Sequence, residues 1–212
     1  MEPRLQLAIS RRCGKLGNEA GGERMSFIEQ KRQLRRMLKA QAAQLDLSYC
    51  READRAIFKS ITDLPEYQRA ERIFCFVGTA REIDTAPVIK DALKKGKVVG
   101  VPRCTGKGIM DACQIDGLNC LKLGRYGIME PEETAAVLFP EDLELVLVPC
   151  LTCSLSGKRL GYGGGYYDRY LARTRAFKAV LCRVRSMRED IPAEAHDAVM
   201  DAVISEMGVR RV

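Results

Sequence analysis

Leu143-Glu144-Leu145-Val146-Leu147-Val148, then Gly157-Lys158-Arg159-Leu160-Gly161-Tyr162-Gly163-Gly164-Gly165-Tyr166-Tyr167-Asp168-Arg169, then Ala179-Val180-Leu181-Cys182-Arg183-Val184: these three stretches follow one another in the last third of the chain. The first and third are short apolar runs bounded by turn residues, the pattern of strands buried on both faces. Between them the loop delivers the chain into a helical pattern over Tyr166–Arg173. Strand, loop, helix and strand in succession are the unit of a parallel sheet.

Toward the amino terminus the alternation repeats. Ile73–Val77 reads as a strand, Thr85–Lys95 as a helix and Val98–Val101 as a strand, with a turn-rich middle before Leu143. The expected fold is therefore α/β, a three-layer α-β-α arrangement with a mostly parallel central sheet, Rossmann-like. Ligands of such sheets collect at the carboxyl ends of the strands, which directs attention to the loops after Val77, Val101 and Val148. Two helices precede the alternation. Ser26-Phe27-Ile28-Glu29 is a capping-box pattern that opens a helix running through Gln44. Ser48–Leu64 places Ala53, Ile57, Phe58 and Ile61 on one face. Residues 1–24 carry neither period, and Arg11–Arg24 is rich in Arg, Gly and polar residues, so this segment is expected to be a disordered leader or upstream extension. Met25 then becomes the natural start, with 25–212 forming a single domain.

Composition narrows the function classes. The 212 residues carry 35 basic and 28 acidic side chains, a formal charge of +7 that suits an anionic partner. The basic residues are dispersed, not gathered into a tract, and there is no Trp, so a nucleic-acid partner is not expected. No run reaches the length of a membrane span. Nine cysteines without a signal peptide point to reduced thiols and a cytoplasmic protein. Cys150-Leu151-Thr152-Cys153 has the spacing of a redox pair or half a zinc site, but a second cysteine pair or two histidines would be needed, and His196 is the sole histidine.

The glycine loop carries the strongest chemical signal. Five glycines between Gly157 and Gly165 let backbone N–H groups approach an anion, and Lys158 and Arg159 add full charges. A helix starting near Tyr166 would add its amino-terminal N–H groups, and Asp168 in its first turn could share a magnesium ion with phosphate oxygens. Neither the G-x-x-x-x-G-K-[ST] loop nor the G-x-G-x-x-G fingerprint is present. The bland alternative is a flexible turn between strand and helix.

The string Arg159-Leu160-Gly161-Tyr162-Gly163-Gly164-Gly165-Tyr166-Tyr167-Asp168-Arg169-Tyr170-Leu171 resembles the signature of the 5-formyltetrahydrofolate cyclo-ligase family. Other pieces match in order: Lys31 and Arg35 in K-x-x-L-R, Glu82-Ile83-Asp84-Thr85, Val101-Pro102-Arg103, Gly127-Ile128-Met129-Glu130-Pro131, Ile191-Pro192 and His196-Asp197. The resemblance covers Met25 to Glu206. The chain departs from it in places: where the family reads P-G-x-x-F-D it has Pro149-Cys150-Leu151-Thr152-Cys153-Ser154, Gly164 stands where some relatives carry Lys, and Ser186 where a Gln is often found.

The resemblance implies an ATP- and magnesium-dependent enzyme that closes 5-formyltetrahydrofolate to 5,10-methenyltetrahydrofolate through a phosphorylated formyl oxygen. It implies that Lys31, Arg35, Gly157, Lys158, Arg159, Leu160, Gly161, Tyr162, Gly163, Gly164 and Gly165 hold ATP, with Arg159 catalytic. Val77, Glu82 and Tyr166 would bind the folate, and Asp168 and Asp197 the Mg2+. The partners are then two small molecules, ATP and a reduced folate, acting on a monomer. Each residue also has a plainer reading: Lys31 and Arg35 as a solvated helix face, Glu82 and Asp84 as ornaments of a helix start, Asp197 as a surface charge. The alternative at the level of function is a non-catalytic relative that binds nucleotide or folate.

Overall fold

A computed structural model describes residues 26–124, 127–194 and 197–212; the leader 1–24 and His196 lie outside them. Helix α1 spans Phe27–Ala43 and begins with the capping box in full: Ser26 Oγ accepts from the Glu29 N–H at 3.3 Å, and Glu29 accepts from the Ser26 N–H at 3.1 Å. Lys31, Leu34 and Leu38 form its buried stripe. Helix α2, Leu47–Thr62, is capped by Asp46 and buries Ala53, Ile57 and Ile61, one residue per turn of the same face. A short α3, Pro65–Arg69, turns the chain into the first strand.

In chain order there follow β1 (Arg72–Cys75), α4 (Ala86–Lys94), β2 (Val98–Gly106), β3 (Ile109–Ile115), β4 (Lys122–Leu123), β5 (Met129–Glu130), β6 (Val137–Leu138), β7 (Leu145–Val148), β8 (Thr152–Cys153), β9 (Arg159–Leu160), α5 (Tyr166–Leu171), β10 (Phe177–Leu181), β11 (Ala202–Ser205) and β12 (Gly208–Arg211). Eight strands form one sheet in the order β12-β11-β10-β7-β1-β2-β3-β6. The five central strands from β11 to β2 are parallel, and antiparallel partners close both edges. Pairs β4–β5 and β8–β9 stand apart as two-stranded ribbons.

The central strands are mostly apolar because both faces are covered. Ile73, Cys75, Leu145, Leu147, Ala179, Leu181, Ala202 and Ile204 face one cluster with Ile57 and Ile61 of α2 and Val88, Ile89 and Ala92 of α4. Their neighbours Phe74, Val146, Val148, Val180 and Val203 face the other, against Tyr170 and Leu171 of α5 and Met187 and Met200 of the loops. Period-two alternation thus fills both layers, each fully buried aliphatic side chain contributing about 1.5–3 kcal/mol. The second layer is mostly loop, since α5 has only six residues.

Some element bounds differ from the sequence expectations. The turn-rich middle holds the longest strand pair, β2–β3, whose alternation is interrupted by Pro102 and by a register shift between Cys104 and Gly106. The strand expected at Ala179–Val184 leaves the sheet after Leu181, where Arg183 turns to an ion-pair partner and Val184–Ser186 forms a 3-10 turn. Helix α5 ends at Leu171, two residues early.

Candidate active site

Strand order reverses between β1, whose chain continues to β2 on one side, and β7, which joins it on the other. The carboxyl ends of these two strands therefore flank the crevice where an open α/β sheet takes its ligand.

The loop after β1 is stitched to itself. Thr85 Oγ1 donates to the Phe76 carbonyl at 2.6 Å and accepts from the Gly78 N–H at 3.0 Å. A Cβ on Gly78 would stand 2.1 Å from the Ile83 carbonyl oxygen, so no other residue fits there. Val77 is half-buried against the core. The Glu82 carboxylate accepts from the Thr79 N–H at 3.0 Å and the Thr79 hydroxyl at 2.7 Å, fixing its position at the crevice. From below, the Arg183 guanidinium donates to the carbonyls of Glu82 (2.8 Å) and Arg81 (3.3 Å) while it grips Asp54 of α2 at 2.7 and 2.8 Å. Burial alone would lower the pKa of this guanidinium, but the Asp54 carboxylate raises it above its ordinary value.

Ribbon β8–β9 carries the glycine loop. Gly157, at φ +76°, turns it; a Cβ there would meet the Met200 carbonyl at 2.8 Å, and the exposed Lys158 follows, its N–H donating to Ser154 Oγ. Leu160 is buried with Leu34 and Leu38, which ties α1 to the ribbon. Arg159 is almost wholly buried; its guanidinium meets Asp168 at 2.5 Å and lies 5.9 Å from the Tyr167 ring, and its Nε has no partner. Arg35 donates from Nε to the Gly161 carbonyl at 2.9 Å.

The later glycines make room for these cations. A Cβ on Gly161 would come 2.9 Å from the Arg159 guanidinium, one on Gly163 (φ +100°) 3.3 Å from that of Arg35, and one on Gly165 (φ +68°) 2.8 Å from that of Arg169. Gly164 leaves space for the ring of Tyr166, which packs on the second core cluster.

Lys31 completes the cluster, donating to Asp197 at 2.7 Å and Glu194 at 2.8 Å. Its burial favours the neutral amine, yet the hydrogen bonds to Asp197 and Glu194 hold the pKa above its ordinary value. Burial lowers Arg35, and the nearby charges of Asp168 and Asp197 pull the other way, so its guanidinium feels both carboxylates. Lys31, Arg35, Arg159, Asp168 and Asp197 are thus one electrostatic unit. Gly157 and Lys158 belong to the turn of the ribbon, beside Met200.

Two further expected residues, Glu82 and Tyr162, meet at a cavity of about 40 Å³ that Cys150 and Arg183 also line. Tyr162 is exposed at the rim, and burial of its hydroxyl end and the Glu82 charge push the phenol far above its ordinary value. Arg183 and Asp54 are the residues that sequence reasoning missed. The only local sign of them is a charge placed directly after an apolar strand.

The profile of the 5-formyltetrahydrofolate cyclo-ligase family matches residues 27–206. The chain belongs to this family. A probable 5-formyltetrahydrofolate cyclo-ligase of Schizosaccharomyces pombe is 29% identical over 198 residues, covering 85% of this chain and 97% of the relative. The mouse cyclo-ligase is 30% identical over 154 residues, covering 66% and 76%. Among solved structures, the Aquifex aeolicus 5,10-methenyltetrahydrofolate synthetase superposes with a TM-score of 0.76 at 29% identity, covering 85% of this chain and 92% of that one. The α/β fold of the cyclo-ligase family and membership in a family of ligases follow. Among the described residues, no helix is long and apolar enough to cross a membrane.

Proposed function

We propose that this cyclo-ligase family member uses ATP and Mg2+ to convert 5-formyltetrahydrofolate to 5,10-methenyltetrahydrofolate, with release of ADP and phosphate. The observation that carries the reading is the cluster of Lys31, Arg35 and Arg159 interleaved with Asp168 and Asp197 around a glycine-lined loop. Three cations suit a polyphosphate, and the buried, unpartnered Nε of Arg159 is a donor waiting for an acceptor. The two carboxylates fit a divalent cation, being hard oxygen donors beside the place where phosphate oxygens would lie. Asp168 and Asp197 would hold the Mg2+, which supplies charge neutralisation to the transferring phosphoryl group.

The chemistry then assigns roles. A formamide oxygen is a poor leaving group, so it first attacks the γ-phosphorus of ATP and ADP departs. N10 of the folate attacks the activated carbon and gives up its proton, and the C–O bond breaks to release phosphate as the ring closes. Such transfer needs positioning and charge neutralisation more than covalent help. Arg159 stabilises the charge that develops on the phosphoryl oxygens. Lys31, Arg35 and the loop through Gly165, Gly157 and Lys158 included, hold the nucleotide. Glu82, with its carboxylate fixed by Thr79, accepts from the amino and ring N–H groups of the pterin, while Val77 and Tyr166 line its pocket.

The test is the absorbance of the methenyl product after mixing protein with 5-formyltetrahydrofolate. Product that grows only with both Mg2+ and ATP supports the reading. A sample that binds ATP but yields no product overturns it in favour of a non-catalytic binding relative.

A further inference from the structure

The Sγ atoms of Cys150, Cys153 and Cys182 all lie within 4.8 Å of one another. They come from three places: the turn after β7, strand β8 of the ribbon, and the residue that follows β10. The sequence supplies only the C-x-x-C pair; the third thiol arrives through the parallel pairing of β7 with β10. Two of the three, Cys150 and Cys153, stand in a segment where this chain departs from the pattern of its family.

We propose that Cys150, Cys153 and Cys182 form a trithiolate site for a soft d10 cation, Zn2+ or Cu+, beside the small cavity bordered by Glu82 and Tyr162. The geometry suits it. A metal with sulfur ligands at about 2.3 Å spans sulfur–sulfur edges of roughly 4 Å, so the thiols need to close by less than about 1 Å. Soft thiolates select these cations over Mg2+, which keeps the site chemically separate from Asp168 and Asp197.

Access and charge agree. Cys150 and Cys182 both line the cavity that Glu82 and Tyr162 border, which gives the ion a way in and leaves one coordination position facing the opening. For Cu+ the three sulfurs complete a trigonal set; for Zn2+ a water from the cavity takes the fourth position. Arg159 acts electrostatically on Cys150 and Arg183 on Cys182, so two guanidinium groups offset the negative charge of the thiolates. Each ligating thiol that is still protonated releases its proton to solvent on binding.

An ion there would pin the turn after β7 to the end of β10. It would thereby fix the ribbon that carries Arg159 relative to Arg183, which holds the Glu82 loop.

The experiment uses full-length protein, reduced and stripped of metal without oxygen. It is titrated with Zn2+ against a chromophoric chelator, and separately with Cu+ while the thiolate-to-metal charge-transfer absorbance is followed. One ion of either kind retained per chain is the expected result. Affinity should fall by more than about 100-fold in Cys153→Ser and in Cys150→Ala, a loss beyond what outer-shell changes cause. Because Cys153 is buried in the core, Cys150→Ala at the cavity rim is the deciding variant should Cys153→Ser misfold. Cys120→Ser, which removes an exposed thiol, should bind as wild type. Equal uptake by wild type and Cys150→Ala overturns the proposal. So does failure of the reduced wild type to retain either ion, including the case in which the cluster forms a disulfide in air and takes up no metal once reduced.

Discussion

Arg159 illustrates how much one side chain can be asked to do when its surroundings leave no slack. It is held by Asp168, faces the Tyr167 ring and keeps one donor without a partner. Arg159→Ala should lower turnover by about 10²–10³-fold, the usual cost of removing a donor aimed at developing charge. Steady-state kinetics with saturating ATP check this, and an unchanged kcat would remove Arg159 from the chemistry. Asp168→Asn should raise the Mg2+ concentration needed for half-maximal rate. Elsewhere a buried thiol gives a pH effect. Burial pushes Cys75 from its ordinary 9.0 up to about 12, so the folded form keeps a proton that the unfolded chain loses. Stability should therefore be insensitive to this group below about pH 9 and decline as pH rises toward 12, by linkage. Urea unfolding of Cys75→Ala between those limits should show a shallower decline than wild type.

Among the elements, α1 depends on its first turn. Ser26→Ala removes the acceptor for the Glu29 N–H and should cost about 1 kcal/mol, measured by thermal or urea unfolding. Beyond stability, it should weaken ATP binding, because Lys31 and Arg35 ride on that helix. The loop after β1 is a different case, held by a buried ion pair from outside itself. Asp54→Ala leaves the Arg183 charge buried without its carboxylate and should destabilise by about 3–5 kcal/mol. The capping box and the glycine loop were legible in sequence because short-range rules demand those residues at those spacings. Asp54 and Arg183 were not, since an ion pair between residues 129 positions apart leaves no local pattern. The β2–β3 hairpin lay between: Val98–Val101 was read as a strand, Gly106-Lys107-Gly108 is a turn signal with Gly108 at φ +73°, and the interrupted alternation around Pro102 hid the rest of β2 and all of β3.

At the scale of the whole molecule, the continuous apolar strands made the two-sided parallel sheet readable, while β11 went unread although it is as long as β1 and β7, and β12 was hidden by the charges of Arg210 and Arg211. The candidate site joins α1, the loop after β1, the ribbon, α5 and the segment at Asp197, so ligand should stabilise the fold as a unit. Mg2+ with ATP at about 100 times its Kd adds about 2.7 kcal/mol and should raise the melting temperature by several degrees. ATP alone should raise it less, and scanning calorimetry with and without Mg2+ separates the two.

The Lys31–Asp197 contact closes a separation of 166 positions, and β1 must wait for β7 before its second neighbour exists. Loop closure of that span is entropically costly, and contacts of long sequence separation form late. During synthesis the amino-terminal helices and the β2–β3 hairpin can form from what has already emerged, but the cation–carboxylate cluster can assemble only after Asp197 has left the ribosome. A truncated or stalled product would carry Lys31 and Arg35 without the carboxylates that balance them. Acquisition of nucleotide binding would then mark the closure of this sheet and its cluster, a timer that reports when the two distant segments have met.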